Sequence, residues 1–140
     1  MREAAGLTQA ELAHRSGVAQ PNIAAYESGR RQASDAMLTR LREAMSPRPS
    51  EMLERHRVDV RALLARRRLR RPKVFGSVAH GTDRPGSDID IVVEVPDDVD
   101  LLEIIDAADE LEALLGCRVD LVTARSLRPD HRIVREMIPL

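Results

Sequence analysis

Aromatic residues are almost missing from this chain: its 140 residues include one Phe, one Tyr and no Trp. Proteins that hold single-stranded bases without sequence preference do so by stacking them on aromatic rings. With Phe75 and Tyr26 alone to offer, this chain is not built for that task. The core must instead be aliphatic. Cysteine is equally scarce. Cys117 stands alone, which excludes an intramolecular disulfide and a Cys-rich zinc site. No apolar run approaches the ~18 residues of a membrane span, and no secretory leader is visible. The expected protein is soluble and cytoplasmic, without membrane contact. Excess charge of one sign is missing too, since the formal net charge is −1. Its distribution is uneven, however. Residues 1–72 hold 15 Lys and Arg against 8 Asp and Glu, whereas residues 73–140 hold 7 against 15. Such asymmetry suggests a nucleic-acid-facing half joined to something else. The densest basic run, Arg66, Arg67, Arg68, Arg70 and Arg71, reads equally well as a solvated helix end.

What is present is concentrated in two places. The first is Val74-Phe75-Gly76-Ser77, followed by residues 78–87 and then Asp88-Ile89-Asp90. A Gly-Ser turn leaves one apolar strand, and a second apolar strand carries two carboxylates spaced i, i+2. Alternate strand residues share a face, so Asp88 and Asp90 stand a few ångströms apart. Two close carboxylates repel unless a cation neutralises them. Mg²⁺ suits the position, because it takes hard oxygen ligands and combines few carboxylates with substrate phosphates. The turn at Gly76 and Ser77 offers backbone N–H groups and a hydroxyl to a triphosphate.

These residues resemble the nucleotidyltransferase superfamily that includes DNA polymerase beta, and most closely its minimal nucleotidyltransferase branch. The Gly-Ser, ten-residue, Asp-x-Asp spacing fits, as do Phe75, Gly81 and Ser87. The family needs a third carboxylate on a later strand, and Asp120, within Arg118-Val119-Asp120-Leu121-Val122, takes that place. The resemblance implies that Asp88, Asp90 and Asp120 are the catalytic, metal-holding residues and that Gly76, Ser77 and Ser87 bind nucleotide. It further implies Mg²⁺ as cofactor, ATP as the nucleotide and transfer of AMP to a tyrosine of a HEPN-family toxin, the partner of antitoxins of this kind. His80 departs from the pattern, since relatives often carry Arg or Lys there, and His is only partly charged near neutral pH.

The second place is the N-terminal third. Thr8 can cap a helix from Gln9 to Arg15, with Glu11 completing a capping box, and Ser16-Gly17 ends it. A second helix opens at Ala19-Gln20-Pro21 and runs to Tyr26 or Glu27. Ser34 or Asp35 caps a third, in which Met37, Leu38, Leu41 and Met45 recur at helical spacing. The run Leu7 to Ala13, Ser16-Gly17-Val18, Ile23 and Tyr26 to Gly29 resembles a helix-turn-helix of the Xre/Cro-repressor type. In that family the second helix reads the major groove by its N-terminal residues. The resemblance places Gln20, Pro21 and Ala25 toward bases and Gln9, Asn22 and Arg30 near phosphates of operator DNA. Leu12, Ala13, Val18, Ile23 and Leu38 are expected in the core. Residues 1–6 leave room for only a shortened first helix. Modest contacts of this kind favour a homodimer.

Residues 46–50, with two prolines, read as a linker. The expected architecture is α+β: an all-α helix-turn-helix over residues 1–45, the linker, and a mixed sheet packed with helices over 51–140. Ser50 should cap a helix to about Arg68, with Val58 in its apolar stripe. Strands are expected over 73–75, 88–95 and 117–123, a helix over 101–115, and a last helix capped by Ser126. The leading functional expectation is an antitoxin that modifies its toxin and binds its own operator. The alternative is a DNA-binding regulator whose transferase-like domain senses nucleotide or docks a partner.

Overall fold

A computed structural model describes residues 2–127 and 136–140. The expected last helix lies for the most part outside the described residues. Ser126 itself ends a 3-10 turn, Ala124–Ser126, and its hydroxyl donates to the Thr123 carbonyl. The chain divides into two compact units, Met1–Pro47 and Arg48–Leu140.

The first unit is helical. A 3-10 turn, Glu3–Ala5, closes on Gly6 and stands where a longer first helix was expected to be shortened. Helix α1 (Gln9–Ser16) begins with the full Thr8–Glu11 capping box and ends at Gly17, in left-handed conformation. Helix α2 (Gln20–Glu27) starts with Pro21 in its first turn, where a missing N–H costs nothing. Helix α3 (Asp35–Met45) is capped by Ser34, whose hydroxyl accepts from the Met37 amide. Leu12, Val18, Ile23, Leu41 and Ala44 form the buried core, with Ala13, Tyr26, Met37 and Met45 packed against it. Leu38 lines a small apolar cavity of about 170 Å³ beside them.

The second unit begins inside the expected linker. Pro49 is fully buried and opens helix α4 (Pro49–Arg55), so it is a core residue and Ser50 is already helical. The single helix expected from Ser50 to Arg68 is two, because His56 leaves helical geometry before α5 (Arg57–Arg66). That break changes the phase of the stripe. Leu53, Val60, Leu63 and Leu64 are buried, whereas Val58 is 79% exposed.

Strand β1 (Arg70–Phe75) leads into helix α6 (Gly76–His80). Strand β2 (Ile89–Glu94), helix α7 (Leu101–Leu115), strand β3 (Val119–Thr123) and a short β4 (Ile138–Pro139) complete the unit. The sheet order is β3-β2-β1-β4. Strand β1 is antiparallel to β2 and β4, while β2 and β3 are parallel, joined by α7. Alternation sorts the faces. Val74, Ile89, Ile91, Val93 and Val119 join the core with Leu63, Leu64, Leu111 and Leu115. Their neighbours Lys73, Phe75, Asp90, Val92 and Asp120 therefore occupy the other face. Among the described residues no helix is long and apolar enough to cross a membrane.

The charge asymmetry resolves within the second unit. The first unit holds six arginines against five acidic residues, close to balance. The basic run lies on the end of α5 and the start of β1 and is met by acids of its own unit. Arg66 and Arg67 pair with Glu110, Arg68 with Asp98, and Arg71 with Glu94. Four of the five arginines of the run thus meet acids of their own unit, two of them sharing Glu110.

Candidate active site

The parallel register of β2 and β3 places Asp90 directly beside Asp120. The antiparallel register of β1 and β2 places Phe75 beside Asp90 on the other side. The carboxylates thus sit at one end of the sheet, next to the turn where β1 enters α6. Gly76 has φ +72, and a Cβ added there would collide with the Asp90 carboxylate oxygen Oδ2. Glycine is needed twice over: for the left-handed backbone and for the close approach of the Asp90 side chain. No side chain caps α6, and the Ser77 hydroxyl makes no bond among the described residues. The amides of the first α6 turn have no intrahelical acceptors.

Burial and the charges of Asp120 and Asp88 push the Asp90 carboxyl above the usual carboxylate range. Burial is the larger cause, and the like charges of the two neighbouring acids add to it. Asp88 precedes β2 and is exposed, with Arg118 Nε 3.9 Å from its Oδ1. Among the described residues, no three His, Cys, Asp or Glu side chains form a ready-made metal cage. The donor set nonetheless suits a hard divalent ion that keeps several waters and takes further oxygens from substrate phosphate. Asp88, Asp90 and Asp120 offer only carboxylate oxygens, and a cation there would relieve the repulsion that perturbs Asp90.

Two neighbouring residues serve the scaffold. The Ser87 hydroxyl accepts from the Arg84 amide at 3.0 Å and closes the loop before β2, so its oxygen is engaged inside that turn. His80 places Nε2 3.1 Å from Glu136 Oε2. Cys117 is half-buried just before β3. Burial, then the carboxylates of Asp88, Glu112 and Asp83, push its thiol up, which leaves it poorly nucleophilic.

Asp83 was read only as part of a polar loop, yet it is 3% exposed. Its Oδ2 accepts from the Ser50 amide at 2.8 Å, while Oδ1 has no partner among the described residues. It ties the active-site loop to the first turn of α4. No local signal distinguishes it from a solvated loop acid, because its partner lies 33 residues away.

In the helix-turn-helix unit, Gln20 and Pro21 are exposed at the start of α2, and Ala25 is half-buried one turn on. Gln9 donates to Glu27 at 2.7 Å, and Arg2 donates to the same carboxylate. The Asn22 carbonyl oxygen accepts from Arg31, and Arg30 Nε donates to the Ser28 hydroxyl. Gln9, Asn22 and Arg30 are therefore engaged in contacts within the unit, while the Gln20 side chain has no partner among the described residues.

Comparison with known proteins agrees with both halves. The nucleotidyltransferase domain model matches residues 65–138, and the helix-turn-helix model matches residues 1–46. The protein adenylyltransferase MntA of Thermococcus cleftensis is 42% identical over 67 residues, covering 46% of this chain and 68% of that protein. A solved structure described as a minimal nucleotidyltransferase aligns with a TM-score of 0.59 at 42% identity, covering 65% of this chain and 95% of that one. A crystal structure of a toxin–antitoxin with AMP-PNP aligns with a TM-score of 0.51 at 31% identity, covering 57% of this chain and 68% of that one. The transferase match spans more than half of the residues, and the chain belongs to the nucleotidyltransferase family, with a helix-turn-helix domain ahead of the transferase fold.

Proposed function

We propose that this chain is an antitoxin that transfers AMP from ATP to a HEPN-type toxin and binds operator DNA through its helix-turn-helix. The observation that carries the transferase reading is the register pair Asp90–Asp120, with the Gly76 backbone packed against the Asp90 carboxylate. The similarity to a protein adenylyltransferase and to a toxin–antitoxin carrying an ATP analogue supports the nucleotide and the partner class.

In this reading the first-turn amides after Gly76 and the Ser77 hydroxyl hold the terminal phosphates. Asp88, Asp90 and Asp120 would hold Mg²⁺, which would supply positive charge for the α-phosphate and the departing pyrophosphate. Asp120, the more open of the in-register pair, would bind a second metal or accept the proton of the attacking hydroxyl. Positioning and electrostatics then do most of the work, as phosphoryl transfer requires little covalent participation by the protein. Gln20 would read a base edge and Pro21 and Ala25 would make apolar contact, with Gln9, Asn22 and Arg30 near phosphates. A homodimer would double that modest contact set.

The test is incubation of the protein with labelled ATP, Mg²⁺ and the HEPN-type product of a neighbouring gene. Label on a toxin tyrosine, lost with Asp90→Asn, is the expected result. Absence of label with every nucleotide, alongside operator binding, would sink the transferase reading.

A further inference from the structure

Arg118 flanks the three acids from the side away from the Gly76–Ser77 turn. The sheet order puts β2 between β1 and β3; the turn leaves β1, whereas Arg118 immediately precedes β3. The backbone fixes its place. The Ile89 amide donates to the Arg118 carbonyl at 2.9 Å, ahead of the parallel pairs Ile89–Val119 and Asp90–Asp120. Val119 belongs to the core, so Arg118 and Asp120 share the opposite face, which is also that of Asp90. Asp88 and Arg118 therefore form the row next to the Asp90–Asp120 pair. Among the described residues, Arg118 is the one cation at ion-pair distance from any of the three carboxylates.

The contact is loose. Arg118 Nε stands 3.9 Å from Asp88 Oδ1, beyond hydrogen-bond distance, and the two side chains are 85% and 46% exposed. Arg68 shows a settled pair in the same unit, donating to both oxygens of Asp98 at 2.7 and 3.0 Å. Arg118 makes no side-chain hydrogen bond among the described residues, so the terminal nitrogens of its fork are unengaged there. An exposed pair of this length contributes little to folding. It does place one positive charge where the donor set suits a divalent ion. A bare cation approaching Asp88 is opposed by that charge, whereas a phosphate approaching the same acids is drawn by it. The effect thus has opposite signs for a bare ion and for one carried by a nucleotide.

We propose that Arg118 is a specificity residue: it disfavours loading of the acid cluster by a bare divalent ion and favours an ion that arrives on a nucleoside triphosphate. Without nucleotide, its guanidinium is the resident counter-cation of Asp88. A bare ion has to displace that charge or bind beside it. A triphosphate brings anionic oxygens that accept from the displaced fork, so the positive charge is used twice instead of being opposed. This assignment rests on the transferase reading above and adds how metal loading is tied to nucleotide.

The experiment titrates the full chain, native and as Arg118→Gln and Arg118→Lys, with two probes and no toxin. One probe is Mn²⁺ alone, followed by its paramagnetic resonance signal. The other is Mg²⁺ with the α,β-methylene analogue of ATP, which cannot be cleaved at the transferred phosphate, followed by calorimetry. All three proteins should share one melting temperature without metal, because the pair is exposed. At low ionic strength Arg118→Gln should bind bare Mn²⁺ about threefold tighter or more, since a unit charge one strand spacing away opposes a divalent ion even at the dielectric of water. The same variant should bind the metal–analogue complex no more tightly than the native protein does. Arg118→Lys keeps the charge and should hold bare-ion affinity within about twofold of native. An unchanged or lowered affinity of Arg118→Gln for bare Mn²⁺ overturns the inference and leaves the transferase reading intact. A metal–analogue affinity that rises as much as the bare-ion affinity also overturns it, since Arg118 would then oppose the ion without serving the nucleotide. No metal binding by the native protein, with or without the analogue, removes the parent reading and this one together.

Discussion

Replacing Asp90 with Asn should make the protein more stable while abolishing transfer. Asp90 lies beside Asp120 across a parallel strand pair, and such strands are about 4.8 Å apart. Two unit charges at about 5 Å repel by about 0.8 kcal/mol at the dielectric of water and about 3 kcal/mol at an effective value near 20. Asp120 is exposed, so screening favours the lower end, while Asp88 adds a second repulsion. Removing one charge should therefore stabilise the transferase unit by about 1 kcal/mol, or about 4 °C or more in melting temperature for a unit of this size. The pH dependence has a defined sign. The Asp90 carboxyl is raised in the folded state, so the native protein holds more protons than the unfolded chain between the two titrations. Stability then falls as pH rises through that interval, and Asn at position 90 should flatten the fall. Scanning calorimetry from acidic to neutral pH, with the transferase transition followed separately, measures both effects. Adding Mg²⁺ should raise the melting temperature of the native protein, and chelation should reverse the gain, with a smaller response in the variant. A lowered melting temperature for Asp90→Asn at neutral pH would refute the argument that these acids are held together against their repulsion.

Other outcomes follow from particular contacts. Gly76→Ala forces a left-handed backbone on a side-chain-bearing residue and meets the Asp90 carboxylate, so denaturant titration should show a loss of about 1–2 kcal/mol or more, with nucleotide affinity lost as well. Asp83→Ala strands the half-buried Ser50 amide and should cost about 1–3 kcal/mol, whereas Asp83→Asn keeps an acceptor oxygen and should cost less, as urea midpoints will report. Gln20→Ala should weaken operator binding by about 1 kcal/mol or more in gel-shift titration and leave AMP transfer unchanged. Alkylation of Cys117 should stay slow at neutral pH and speed up only in alkaline buffer, since burial and nearby carboxylates hold the thiol protonated; rapid labelling at neutral pH would contradict this.

Local rules read off the sequence account for most of the elements. The Thr8–Glu11 box, Pro21 in a first turn, Ser34 as a cap and Gly17 as a stop are signals within four or five residues, and each stands where local chemistry places it. The strand pattern of β2 and β3 and the Gly76–Ser77 turn are legible for the same reason, because period-2 alternation and a positive φ are local properties. Failures occurred where a partner was remote. Pro49 has a linker's sequence, but a buried site in the second unit absorbs it as the first residue of α4. Val58 fits an apolar stripe until the break at His56 turns it outward.

The sequence alone pointed to the family and to a helical unit ahead of a second one, and nominated the three acids, because these depend on spacing along the chain. It could not determine that Asp120 stands in register with Asp90, or that Gly76 is pinned by the Asp90 carboxylate. Nor could it show that four arginines of the basic run meet Glu110, Asp98 and Glu94. Those are contacts between segments tens of residues apart, set by strand register and by α7 returning across the sheet. Tertiary structure also turned Asp83 from a loop acid into a buried tether. Short-range chemistry chose the parts, and the closure of the sheet decided which charges would meet and which would remain open to a substrate.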